Sequence, residues 1–170
     1  VRIYKNENDK WVQIGADIDG EEEGSFLGAS VNLSADGSIV IIGAEEHNKS
    51  SGQVSIYQNK DSSWEQVGAD IDGEAEYGLS GVFESISLSA DGSVVAVGSQ
   101  GRDSGHVRIY QNIDNSWKKI GADIDGEAEY DRSGLFESIS LSADGSVVAV
   151  GAPENDGNGG DSGHVRIYQN

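Results

Sequence analysis

The chain has 170 residues, a formal net charge of −19, 24 glycines, one proline and neither cysteine nor methionine. The charge excludes nucleic acid and anionic membrane surfaces as partners, because both require a basic face. The missing cysteine excludes disulfides, thiolate metal sites and a cysteine nucleophile, and no apolar run approaches the length of a membrane span, so no membrane insertion is expected.

Val1-Arg2-Ile3-Tyr4 opens the chain with strand-like alternation, and the phrase returns before Asn112 and Asn170, and as Val54-Ser55-Ile56-Tyr57 before Asn59. Trp11 then begins WVQIGADIDGE, which returns as WEQVGADIDGE at Trp64 and WKKIGADIDGE at Trp117, 53 residues apart each time. Ser30-Val31-Asn32-Leu33-Ser34 alternates polar and apolar residues, as does Ser85-Ile86-Ser87-Leu88-Ser89. That period predicts a strand with one buried face, here with Ile86 and Leu88 inside and Ser85 and Ser87 on the opposite side. Asp36-Gly37, Asp91-Gly92 and Asp144-Gly145 predict tight hairpins, because Asp-Gly tolerates the positive φ such turns need. Ile39-Val40-Ile41-Ile42 and its counterparts from Val94 and Val147 are wholly apolar, which suits a strand covered on both faces. Gln53-Val54-Ser55-Ile56-Tyr57 and His106-Val107-Arg108-Ile109-Tyr110 supply an alternating fourth strand. No stretch keeps helical periodicity over two turns.

A period near 50 residues marks a repeat architecture whose units bury their apolar faces on one another. The fold class predicted is all-β: three four-stranded antiparallel repeats of about 53 residues, read as β-propeller blades, plus one extra N-terminal strand. The Asp-Gly hairpins favour this over a β-solenoid, whose rungs are shorter and parallel. Residues 1–10 read as the last strand of a preceding blade, 11–59, 60–112 and 113–170 as three blades. Lacking an initiator methionine, the chain reads as processed, trimmed or partial, and its repeats read as a piece of one larger domain. Residues 68–98 and 121–151 differ only at Gly78/Asp131, Leu79/Arg132 and Val82/Leu135, so adjacent units present nearly the same faces.

These units resemble the FG-GAP repeat family, the blades of integrin-α-type propellers. Leu27-Gly28-Ala29-Ser30-Val31 follows its opening pattern, Gly151-Ala152-Pro153 its Gly-Ala-Pro, and Gly105-His106-Val107-Arg108-Ile109-Tyr110 its final strand. The Trp-x-x-Ile-Gly-Ala-Asp-Ile-Asp-Gly-Glu phrase is similar to a subgroup found in long surface proteins of marine microbes and algae. In the later units Phe83 and Phe136 replace the family's glycine, and Ser-Ala-Asp-Gly-Ser stands where many members carry an Asp-rich calcium loop. One carboxylate cannot supply the six to eight oxygens calcium takes, so that calcium site is not carried over.

Three equivalent stretches, 17–23, 70–76 and 123–131, hold 14 of the 30 acidic residues. Their Asp-x-Asp-Gly-Glu elements, Asp17, Asp19 and Glu21; Asp70, Asp72 and Glu74; Asp123, Asp125 and Glu127, are candidate calcium ligands. The opposing reading has these side chains accepting hydrogen bonds within a turn, with the surplus charge serving solubility. The loop between third and fourth strands differs in every unit. Its last version carries Asn155, Asp156, Asn158 and Asp161, a second calcium candidate or simply a glycine-rich connection. The tryptophans serve either blade packing or stacking on sugars. His106 and His164 share one repeat position and read as sheet-surface residues.

The function expected is a non-enzymatic extracellular or cell-surface repeat protein with a structural or adhesive role. A carbohydrate-binding, lectin-like propeller is the alternative, and a propeller hydrolase a third class. Expected partners are other copies of the chain or further blades of a longer parent, with extracellular protein or glycan as ligand.

Overall fold

The computed structural model describes residues 1–45, 51–73, 85–99, 104–135 and 137–169. Among them the regular structure is fourteen β-strands and no helix, every pair antiparallel. Strands β1 (Tyr4–Glu7) and β2 (Lys10–Gln13) form a hairpin. Strands β3 (Leu27–Leu33), β4 (Ile39–Ala44), β5 (Gln53–Lys60) and β6 (Ser63–Gln66) form a first sheet in that order, with β7 (Ile71–Asp72) also on β5. The second sheet runs β8 (Ser85–Leu88), β9 (Val94–Ser99), β10 (His106–Ile113) and β11 (Ser116–Asp125). The third runs β12 (Ile139–Leu141), β13 (Val147–Ala152) and β14 (His164–Gln169).

Counting units from each tryptophan does not follow the sheets. Trp64 lies on β6, opposite Asn59 of β5, and Trp117 on β11, opposite Asn112 of β10. The hydrogen-bonded sheet therefore runs past Asn59 to Gln66, and past Asn112 into the next tryptophan phrase. The cause is a two-residue turn. Asn8-Asp9, Asp61-Ser62 and Asp114-Asn115 all have positive φ, the conformation of a type I′ hairpin loop. Asn6 and Asn59 brace two of these turns by accepting the amides of Asp9 at 3.1 Å and Ser62 at 3.0 Å.

The Asp-Gly hairpins form as expected. Gly37, Gly92 and Gly145 have φ of 70°, 73° and 70°. Each aspartate is clamped by the two serines around it: Asp36 Oδ1 accepts Ser34 Oγ at 2.8 Å, the Ser38 amide at 2.9 Å and Ser38 Oγ at 2.7 Å. The same set recurs at Asp91 and Asp144. These bonds, backbone and side-chain donors from serine, hold the Asp36 and Asp144 carboxyls down to about 2 and lower that of Asp91. Successive hairpins also join backbone to backbone. The Ala35 amide donates to the Ala90 carbonyl at 2.9 Å, and the Ala90 amide to Ala143 at 2.8 Å.

Burial depends on whether a strand has a sheet on each side. Strands β4 and β9 are apolar and nearly wholly buried, while β13, of almost the same sequence, is buried only at alternate residues. Strand β8 corrects the one-face expectation: Ser85 and Ser87 are as buried as Ile86 and Leu88. Ile86 and Leu88 pack with Ile41, Val54 and Ile56 of the first sheet. On the other face Ser87 Oγ accepts the Leu141 amide from β12 at 2.9 Å. Two serines thus lie against a neighbouring sheet, where the sequence pattern alone suggests solvent.

Candidate functional site

The first aspartate of each acidic element occupies one geometry. Asp17 accepts Gln13 Nε2 at 2.7 Å and Arg2 Nε at 2.9 Å. Asp70 accepts Gln66 Nε2 at 2.7 Å and Ser55 Oγ at 2.6 Å. Asp123 accepts Lys119 Nζ at 2.6 Å and both Nε and an Nη of Arg108, at 3.0 and 2.9 Å. One donor always lies four residues earlier, the other fifteen, on the strand paired alongside. The aspartate is thus a latch between the tryptophan strand and its partner. Hydrogen bonds from Arg108 and Lys119 hold the Asp123 carboxyl down to about 2 against its desolvation, and bonds from Gln13 and Arg2 lower that of Asp17.

The other predicted ligands are more dispersed. Asp72 and Asp125 end strands, opposite Gln53 and His106. Asp19 and Glu21 border a small depression with Gln53 and Tyr57. Glu127 pairs with Arg166 and lies 3.8 Å from His164 Nδ1. Glu74 lies outside the described residues, as do Phe83 and Phe136. Among the described residues no three acidic or histidine side chains converge as metal ligands would.

The loop after β13 is folded on itself. Asn155 is buried; its Nδ2 donates to Asp131 Oδ2 at 3.0 Å, and its Oδ1 accepts the Gly157 amide at 2.9 Å. Asp156 Oδ1 accepts the Asp161 amide at 2.8 Å, and the Asn158 amide reaches Ser162 Oγ at 3.2 Å. Two of the three residues that distinguish 121–151 from 68–98 act here. Asp131 holds Asn155, and Arg132 pairs with Glu154 at 3.1 Å. Sequence reading counted Asp131 only as one more acid. Its substitution together with that of its neighbour, beside a loop that also differs, was the available signal.

The tryptophans form the links between units. Trp64 Nε1 donates to the Ile14 carbonyl at 2.9 Å, and Trp117 Nε1 to Val67 at 2.8 Å, each reaching back 50 residues. Glycine makes room for the ring: a Cβ on Gly15 would lie 2.6 Å from Trp64 Cδ1, and one on Gly68 3.1 Å from Trp117 Cδ1. Trp11, the third copy, is 71% exposed. At the third equivalent of the receiving position, Gly121, a Cβ would meet nothing within 4 Å. Here lies an apolar cleft of about 150 Å³, bordered by Ile109, Ile120, Gly121, Leu141, Val148 and Tyr168.

No family model and no curated protein matches the sequence. A solved structure described as a candidate 6-phosphogluconolactonase of Bacteroides uniformis matches 99% of the chain with a TM-score of 0.62 at 16% identity; the chain covers 44% of it. TolB of Acinetobacter baumannii matches 82% of the chain with a TM-score of 0.49 at 12% identity, and 30% of that protein is covered. The chain thus spans less than half the length of either structure. The first likeness shows a shared fold. The expectation that the chain has no enzymatic activity is corrected on this finding, because a protein described as a lactonase shares the fold.

Proposed function

We propose that the chain is an array of β-propeller blades of FG-GAP-like type, acting outside the cell as a structural and adhesive segment of a larger repeat assembly. The observation that carries this reading is the tryptophan pin. Trp64 and Trp117 each tie one sheet to the backbone of the unit before it, in the same geometry. Repeating one joint between successive units makes an array that extends by repetition and transmits load from unit to unit. The repeated aspartates likewise serve the scaffold, leaving the differing loop after each third strand to vary. A net charge of −19 keeps such a β-rich array dispersed.

The test is retention under flow. Beads carrying the chain are passed over a glycan panel, a panel of extracellular matrix proteins and a film of the chain itself. Retention on matrix protein or on the chain supports the adhesive role. Retention confined to glycans replaces it with the lectin-like alternative. Beads that pass all three surfaces overturn the proposal.

A further inference from the structure

The two ends of the array carry complementary halves of its internal joint. Strands β10 and β14 have the same sequence, HVRIYQ, yet different surroundings. Val107 is fully buried against the following sheet, whereas Val165 and Ile167 are 68% and 72% exposed. Strand β10 pairs with β9 and β11; among the described residues β14 pairs only with β13. The strand that β14 lacks is the tryptophan strand, and the cleft beside it is the one receiving position without an indole.

The opposite end has the converse. Val1-Arg2-Ile3-Tyr4-Lys5 repeats Val165-Arg166-Ile167-Tyr168-Gln169 with one change. Ile3 fills the place of an outer strand, 7% exposed, beside Ile18, Val40 and Ile42. Its backbone is paired with the tryptophan phrase: the Ile14 amide donates to Ile3 at 3.0 Å and the Ile18 amide to Val1 at 2.9 Å. The continuation, Tyr4–Glu7, is exposed throughout and meets β2 in a two-stranded sheet, an arrangement marginal by itself in water. Val31 and Leu33 are exposed, whereas their counterparts Ile86 and Leu88 are buried against the first sheet.

We infer that two copies join by strand exchange: β14 of one copy replaces Val1–Lys5 of the next, pairing with that copy's Trp11 strand. This rests on the array reading above and names its partner as a second copy of the chain. The exchange places Val165 and Ile167 in the slots of Val1 and Ile3, and Arg166 beside the partner's Asp17, as Arg108 stands beside Asp123. Trp11 enters the cleft at Gly121, and the third sheet covers Val31 and Leu33. The contact is the existing joint between sheets, repeated between molecules. Being head to tail, it extends without closing unless its rotation makes a ring.

The chain contains no cysteine, so a designed pair reports the contact directly. By the register of Gln111 with Lys118 and of Lys5 with Val12, the exchange sets Gln169 of one copy opposite Val12 of the next. The double variant Val12→Cys with Gln169→Cys, oxidised at micromolar concentration, is expected to give a ladder of dimers and higher species. Adding Ile167→Asp, at an exposed position that does not threaten the fold, should abolish the ladder. Light scattering on the unmodified chain should show mass rising with concentration. A monomer at every concentration, no crosslink, or a crosslink within one copy overturns the inference. Retention on matrix protein without crosslinking sinks the exchange and leaves the adhesive reading. Crosslinking without retention on any surface does the reverse.

Discussion

Removing the indole N–H of Trp117 while keeping an aromatic ring isolates the joint between units. Trp117→Phe loses the 2.8 Å bond to the Val67 carbonyl, which then sits at a partly buried joint without that donor. Losing one such bond costs about 1 kcal/mol net, rising toward ~2 where the acceptor stays dry. Trp117→Ala also forfeits the ring's packing against the core cluster that contains Ile56 and Leu88. Truncating a fully buried aromatic costs roughly 3–5 kcal/mol; Trp117 is half-buried, so about 2–3 is expected. In a chain of this length ~1 kcal/mol moves the melting temperature by roughly 2–4 °C. Thermal unfolding followed by far-ultraviolet circular dichroism should therefore show falls of about 3 °C for Trp117→Phe and about 8 °C for Trp117→Ala. Trp11→Ala is the control: its exposed ring makes no such bond, and a surface change is expected to stay within about 0.5 kcal/mol at concentrations where the chain is monomeric. Equal losses at positions 11 and 117, or none at 117, would refute the pin.

Gly68 and Gly121 have φ of +74° and +71°, so alanine brings similar backbone strain of about 1 kcal/mol at either. Only at Gly68 does the new Cβ meet Asn115 O at 2.8 Å and Trp117 Cδ1 at 3.1 Å, so Gly68→Ala should destabilise more in urea titrations; equal midpoints would contradict the docked ring. The Asp123 carboxyl is held below its ordinary value, chiefly by Arg108 and then by Lys119, so its stabilisation is present above about pH 4 and fades as pH falls toward 2. Asp123→Asn should cost about 1 kcal/mol at neutral pH, with the gap in melting temperature closing over that window; a gap independent of pH would rule out the latch. In native-state hydrogen exchange the Ala35 and Ala90 amides, bonded from hairpin to hairpin, should be slow and those of Tyr4–Glu7 fast; the opposite order would deny the ladder its structural role.

Much of the strand pattern was legible because period and turn chemistry act locally. Asp-Gly forced the hairpins at 36, 91 and 144, and unbroken apolar runs marked β4 and β9. The tryptophan strand pairs back across Asn8-Asp9, Asp61-Ser62 and Asp114-Asn115, turns that adopt positive φ without a glycine, so the sequence carries no Asp-Gly signal for a hairpin there. Ser85 and Ser87 looked like a solvent face because alternation reports polarity, and only the packing of one sheet on the next shows that both faces are covered. The aspartates were read as either metal ligands or turn acceptors. Asp17, Asp70 and Asp123 accept Gln, Lys, Arg and Ser side chains, a pairing set by strand register across fifteen residues that neither reading of the motif contains. The open cleft at Gly121 is set by how sheets pack on one another, so no local window of sequence could disclose it.

The bonds that run from Ala35 to Ala90 and on to Ala143 use main-chain atoms alone. Their steps are 55 and 53 residues, yet the hairpins still meet in line. A seam without side chains is indifferent to what the rest of each unit spells or how long its loops become. Tandem duplication can therefore add a unit in one genetic event, complete with its place in the row. The copies can then diverge at their loops, as residues 131 and 132 have done, while the row stays aligned.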